Sequence, residues 1–163
     1  MGIRYYAYAF DADMTARALA DPESFISDDP LADAWGMPHG AQIAVTNFVQ
    51  SVPKTEMLYL DKAWSGLQTL TRAGAPDISP RPAYRMFEGQ VAMHERGWDP
   101  WVRALSPEEV VAIADDLVAL RGSVREVDID DRDPEYVIGF LERAVEFVAG
   151  VAASHRGFAY LIG

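Results

Sequence analysis

Two hydrophobic periods run along this chain, and their order predicts its elements. From Ile3 to Phe10 the positions alternate, Tyr6, Tyr8 and Phe10 interleaved by Tyr5, Ala7 and Ala9, which predicts a strand. Phe158, Tyr160 and Ile162 alternate in the same way at the other end and predict a second strand in the same sheet, beside the first. Between them the helical period dominates. Asp13 caps a short helix from Met14 to Ala20, and Asp21-Pro22 starts another turn through Ile26. Ser27 to Gly40, rich in Asp, Pro and Gly, reads as a long irregular surface connection. Ala41, Ala44, Val45, Phe48, Val49 and Val52 fall on one side of a predicted helix that Pro53 ends.

The segment Leu58 to Thr71 reads as an amphipathic helix, with Leu60, Trp64, Leu67 and Thr71 inward and Lys62 and Gln68 outward. Tyr84–Phe87 and Gln90–Met93 are predicted to pair as short strands around Glu88-Gly89. Ser106-Pro107-Glu108-Glu109 combines an N-cap, a first-turn proline and a capping-box glutamate, followed by the stripe Val110, Ile113, Ala114, Leu117 and Val118. Asp133-Pro134-Glu135 repeats that start signal ahead of Val137, Phe140, Leu141, Ala144, Val148 and Val151. Few strands and several capped helices predict an α+β fold, one domain over residues 1–163 with helices packed on a small sheet.

Composition narrows the function classes. Fourteen basic residues against 25 acidic ones give a net charge of −11, and no Lys/Arg cluster supplies the face that phosphate neutralisation needs, so nucleic acid is not an expected partner. The same charge opposes anionic lipid and favours a basic protein partner. No run approaches the ~18 apolar residues of a membrane span, and no signal segment is read at the start, so the expected location is the cytoplasm. With no Cys, thiolate metal sites are excluded. His39, His94 and His155 are scattered, without ligand spacing, so no metal is expected. The acidic run Asp128–Asp133 fails as a calcium loop, because Arg132, Asp133 and Gly139 stand where an oxygen ligand, the glycine and the glutamate belong. No phosphate-cradling or dinucleotide glycine motif is present, so no cofactor is expected.

Several motifs together resemble the YfbM-like family of unknown function. They are the Met-Gly start before an aromatic strand, Leu60-Asp61-Lys62-Ala63-Trp64-Ser65-Gly66-Leu67, Gly89, Gly97-Trp98-Asp99-Pro100-Trp101-Val102-Arg103, and Leu105-Ser106-Pro107-Glu108-Glu109-Val110. The resemblance implies an α+β fold and no established activity. Gln68 stands where the family motif commonly has a histidine, so a role needing that histidine does not transfer.

Two groups of residues carry candidate chemistry. Asp61-Lys62 reads as a helix start, with Asp61 accepting backbone N–H bonds; the alternative is a general base or cation ligand with Lys62 orienting an anion. Trp64 reads as core, its indole N–H needing a partner. Trp98, Asp99 and Arg103, with Trp101 between them, either pack a loop on the sheet or line a site for a ring or a cation. The preferred reading is a non-enzymatic binding module with a basic protein partner. The alternative is a small-molecule binder or enzyme with a pocket between the Trp64 helix and the Trp98–Arg103 loop. Nothing in the pattern sets an oligomeric state.

Overall fold

The computed structural model describes residues 2–72, 77–124 and 133–163. The fold is α+β. Four strands form an antiparallel sheet in the order β2-β1-β6-β5, from β1 (Tyr5–Phe10), β2 (Met57–Asp61), β5 (Trp101–Leu105) and β6 (Gly157–Ile162). As the alternation predicts, β1 and β6 are neighbours, with Tyr5 opposite Ile162 and Phe10 opposite Gly157. A separate hairpin joins β3 (Ala92–His94) to β4 (Gly97–Asp99).

Both faces of the central pair are apolar, so both must be covered. Tyr5, Ala7, Phe158, Tyr160 and Ile162 point into the larger core, where α4 (Pro107–Ser123) and α5 (Pro134–Ala153) supply Ile113, Leu117, Leu141 and Val148. These helices begin as the sequence predicts. Ser106 and Glu109 form a reciprocal capping box, and the Asp133 carboxylate accepts the Glu135 N–H. On the opposite face the cover is short and in two pieces. The first is α1 (Thr15–Ala20) with the tight turn Pro22–Phe25, over Phe10, Ala104 and Ala159. The second is α2 (Pro30–Trp35), over Tyr6 and Met57.

Several expectations are corrected. Residues 57–61 form strand β2, and only α3 (Trp64–Thr71) is helical; Leu58 and Leu60 fit a period of two as well as a helical one, and pairing with β1 decides between them. Gln68 does not face outward: its amide donates to the carbonyls of Phe87 (2.6 Å) and Gly89 (3.0 Å). The connection after Ser27 contains α2, capped by Asp29. The helix over 41–52 is absent. β-branched Ile43, Val45, Thr46 and Val49 are weak helix formers, and the side chains of Thr46 and Asn47 bond the N–H groups of Phe48 and Val49, holding local turns. Gly36 ends α2 at φ 63, where a Cβ would lie 2.2 Å from the Asn47 side chain. The predicted strand over 84–87 is instead part of a one-turn 3-10 segment, Pro82–Met86, and residues 92–94 pair with 97–99. The Trp98–Arg103 stretch is strand rather than loop. Asp128 to Arg132 lie outside the described residues.

Among the described residues no helix is long and apolar enough to cross a membrane. One core group is unsatisfied: the Tyr5 ring is fully buried beside Tyr160, and its hydroxyl has no partner among the described residues. Tyr5→Phe is therefore expected to leave stability unchanged or raise it by about 1–2 kcal/mol in urea unfolding. A loss of more than about 1 kcal/mol would reveal a partner for that hydroxyl.

Candidate functional site

Asp61 ends β2 in the left-handed region, at φ 47, and caps no helix; the residue before α3 is Ala63, which makes no side-chain cap. Its carboxylate instead joins the ends of three segments. Arg4 Nε donates at 3.0 Å and Tyr59 Oη at 2.9 Å, both to Oδ1, while Tyr136 Oη of α5 donates to Oδ2 at 2.8 Å. The Arg4 guanidinium lies 5.3 Å from the centre of the Trp35 ring, and the Trp35 indole donates to Tyr59 Oη at 3.2 Å. Burial works to raise the Asp61 carboxyl, but the two hydroxyls and Arg4 outweigh it and hold it below the usual carboxylate range. A carboxylate engaged by three donors and kept ionised is a structural acceptor and a weak base.

The other residues singled out in the sequence are spread over the molecule. Trp64 donates its indole N–H to the Ile3 carbonyl at 3.3 Å, and Lys62 reaches Gly2. Arg103 contacts Glu88, and Asp99 is exposed, 3.6 Å from His94. Asp61 sits on one edge strand and Arg103 on the other, about 14 Å of sheet apart at the normal strand spacing. Between α3 and β5 stands the segment 87–89, which α3 binds through Gln68 and on which Trp101 rests. At Gly89, φ 121, a Cβ would lie 2.4 Å from the Trp101 indole.

Of the group, Trp98 lines a hollow. A space of about 370 Å³ opens on the thinly covered face of the sheet, and a second of about 270 Å³ adjoins it, sharing Ser27, Asp28, Pro100 and Leu161. The floor is a cross-strand row, Tyr6 opposite Leu161 and Leu161 opposite Val102. One wall is the chain from Ser27 into α2, and the other is Trp98 with Pro100. Glu23 and Asp28 stand exposed at the rim, without an ion pair among the described residues. Asp29 also lines it but is engaged by the N–H groups of Ala32 and Gly40. Burial is the main cause that pushes the Tyr6 phenol up to about 12, so it stays neutral on the floor.

Behind this wall lies a cluster that sequence reading missed. Asp33, 6% exposed, accepts from Tyr8 Oη at 2.8 Å and meets His39 Nε2 at 2.8 Å. Its position inside a stretch read as irregular hid it; the i, i+4 spacing of Asp29 and Asp33 was the available signal. Burial opposes the Asp33 charge, but bonds from His39, Ser27 and Tyr8 keep its pKa below the usual carboxylate value. The bond to Asp33 raises the His39 imidazole. Among the described residues no group of three metal-ligating side chains converges.

Asp61→Ala should cost roughly 2–4 kcal/mol in chemical denaturation, because Arg4, Tyr59 and Tyr136 lose their acceptor together. Because its folded pKa is depressed, the contribution of Asp61 is present above the ordinary carboxylate range and is lost as pH falls through the folded value. His39 has the opposite sign: its link to Asp33 is fully present below the ordinary histidine pKa of ~6.5 and is lost as pH rises through the raised folded value. An NMR titration should place the His39 midpoint above that of free histidine, and Asp33→Asn should return it. An unshifted midpoint in the parent protein would break the assignment of this pair.

No family model matches the chain, and no curated protein matches it. Among solved structures it is similar to the crystal structure of YfbM from Escherichia coli, described as a protein of unknown function, at 16% sequence identity and a TM-score of 0.49, over 99% of this chain and 100% of that one. That protein bears the family name that the sequence motifs resemble.

Proposed function

We propose that the protein is a binding module that engages a basic partner protein in the cytoplasm through the groove over Tyr6, Leu161 and Val102. The observation that carries this reading is the groove itself, an apolar cross-strand floor beside Glu23 and Asp28, which form no ion pair among the described residues. Apolar area removed from water supplies affinity, and the net charge of −11 steers a basic surface towards it. Asp61, the strongest acid–base candidate in the sequence, is engaged by three donors on one edge strand, and this favours binding over catalysis. A second reading, a small-molecule site, draws support from the hollow of about 370 Å³, which falls within the range of such sites.

Calorimetric titration with a blocked peptide of mixed Lys, Arg and Leu residues tests the first reading. Binding should weaken severalfold between about 50 and about 200 mM salt, because exposed charges at the rim are screened. The double substitution Glu23→Gln with Asp28→Asn should weaken it further at low salt. Binding indifferent to both salt and the double substitution, or no binding, would overturn the reading.

A further inference from the structure

The groove has the anatomy of a seat for one kind of side chain. Its floor and one wall are apolar or aromatic, from Leu161 and Val102 to Pro100 and Trp98, and its charge is confined to the lip. A ligand that fits must lay several methylenes along the floor and still end in a cation at the lip. A purely apolar occupant would bring Asp28 and Glu23 towards a low-dielectric surface without compensation. An anionic occupant would meet them as like charges.

Elsewhere in the molecule, half-buried carboxylates meet the same partner repeatedly. Arg4 holds Asp61, Arg81 holds Asp116, Arg85 and Arg103 hold Glu88, and Arg156 takes Glu56 through two parallel bonds of 2.9 and 2.8 Å. Asp28 and Glu23 at the groove have no such partner among the described residues.

Resting on the binding reading above, we propose that the groove takes an arginine side chain from an extended segment of the partner. The three-carbon stem lies over Leu161 and Val102, and the guanidinium stacks on Trp98 while pairing with Asp28. Arginine fits better than lysine for three physical reasons. Its planar ion is weakly hydrated, so desolvation over an apolar floor costs less. It stacks on an indole. It also presents two parallel N–H groups to one carboxylate.

The test is a ¹⁵N NMR titration of the full chain with the blocked peptide Ala-Leu-Arg-Leu-Ala and its lysine and citrulline counterparts. The arginine peptide should shift the Trp98 indole and the amides of Asp28 and Leu161. Citrulline, isosteric but uncharged, should weaken binding about tenfold or more, and lysine severalfold. Trp98→Ala should abolish the preference of arginine over lysine, with resonances remote from the groove reporting that the fold is intact. Asp28→Asn, an exposed change, should weaken the arginine peptide about tenfold. If lysine and arginine bind equally and Trp98→Ala changes neither, the arginine seat is overturned while binding to a basic partner stands. If neither cationic peptide moves a groove resonance, both readings fall.

Discussion

Double-sided burial of the central strand pair is the constraint from which the rest of this structure follows. β1 and β6 carry large side chains on both faces, and no antiparallel sheet of this kind can leave one face to water. The chain meets the demand unequally. The two long helices α4 and α5 close one side with an apolar layer, whereas the other side receives two short pieces and the irregular segment that follows α2. Where those pieces fail to meet, over Leu161 and Val102, the sheet itself becomes the floor of a groove. The candidate site is thus a consequence of thin cover over an apolar sheet, with no dedicated cavity built for it.

The carboxylates divide along the same line. Asp61, on the edge strand, ties the amino-terminal segment, β2 and α5 into one knot, and its three donors outweigh the cost of partial burial. Asp33 does comparable work behind the groove, where its bonds to Tyr8 and His39 and the Asp29 bond to Gly40 hold the wall in place. Groups such as these are immobilised by the fold and chemically quiet. Asp28 and Glu23, by contrast, border an apolar surface and form no ion pair among the described residues, Asp28 acting on His39 only at longer range.

Sequence patterning revealed the elements whose signals are local and redundant. β1 and β6 announced themselves by alternation, and α4 and α5 by caps placed just before an apolar stripe. It misread residues 57–61 because apolar residues at 58, 60, 64 and 67 satisfy a strand followed by a helix as well as one longer helix. It misread residues 41–52 because helical spacing of apolar residues carries no information about β-branching or side-chain turns; Ile43, Val45, Phe48 and Val49 are in fact exposed. Trp98 stood out in the sequence through its aromatic neighbourhood, and it does line the hollow. The rim was not, since Asp28 and Glu23 resemble any solvated acid until the sheet places Leu161 beneath them.

The distribution of charge gives the groove an energetic direction. At a net charge of −11 the folded state carries self-repulsion, which the internal arginine pairs relieve only where a carboxylate already has its cation. At the rim Glu23 and Asp28 are exposed and form no ion pair among the described residues. In the proposed seat, an entering cation would add opposite charge beside two carboxylates of a protein whose net charge is −11. A neutral ligand of the same shape would gain nothing from that charge, so the proposed arginine seat would select by charge first and by the fit of the stem second. On the same proposal, the aromatic wall would separate a planar, weakly hydrated cation from a compact, strongly hydrated one.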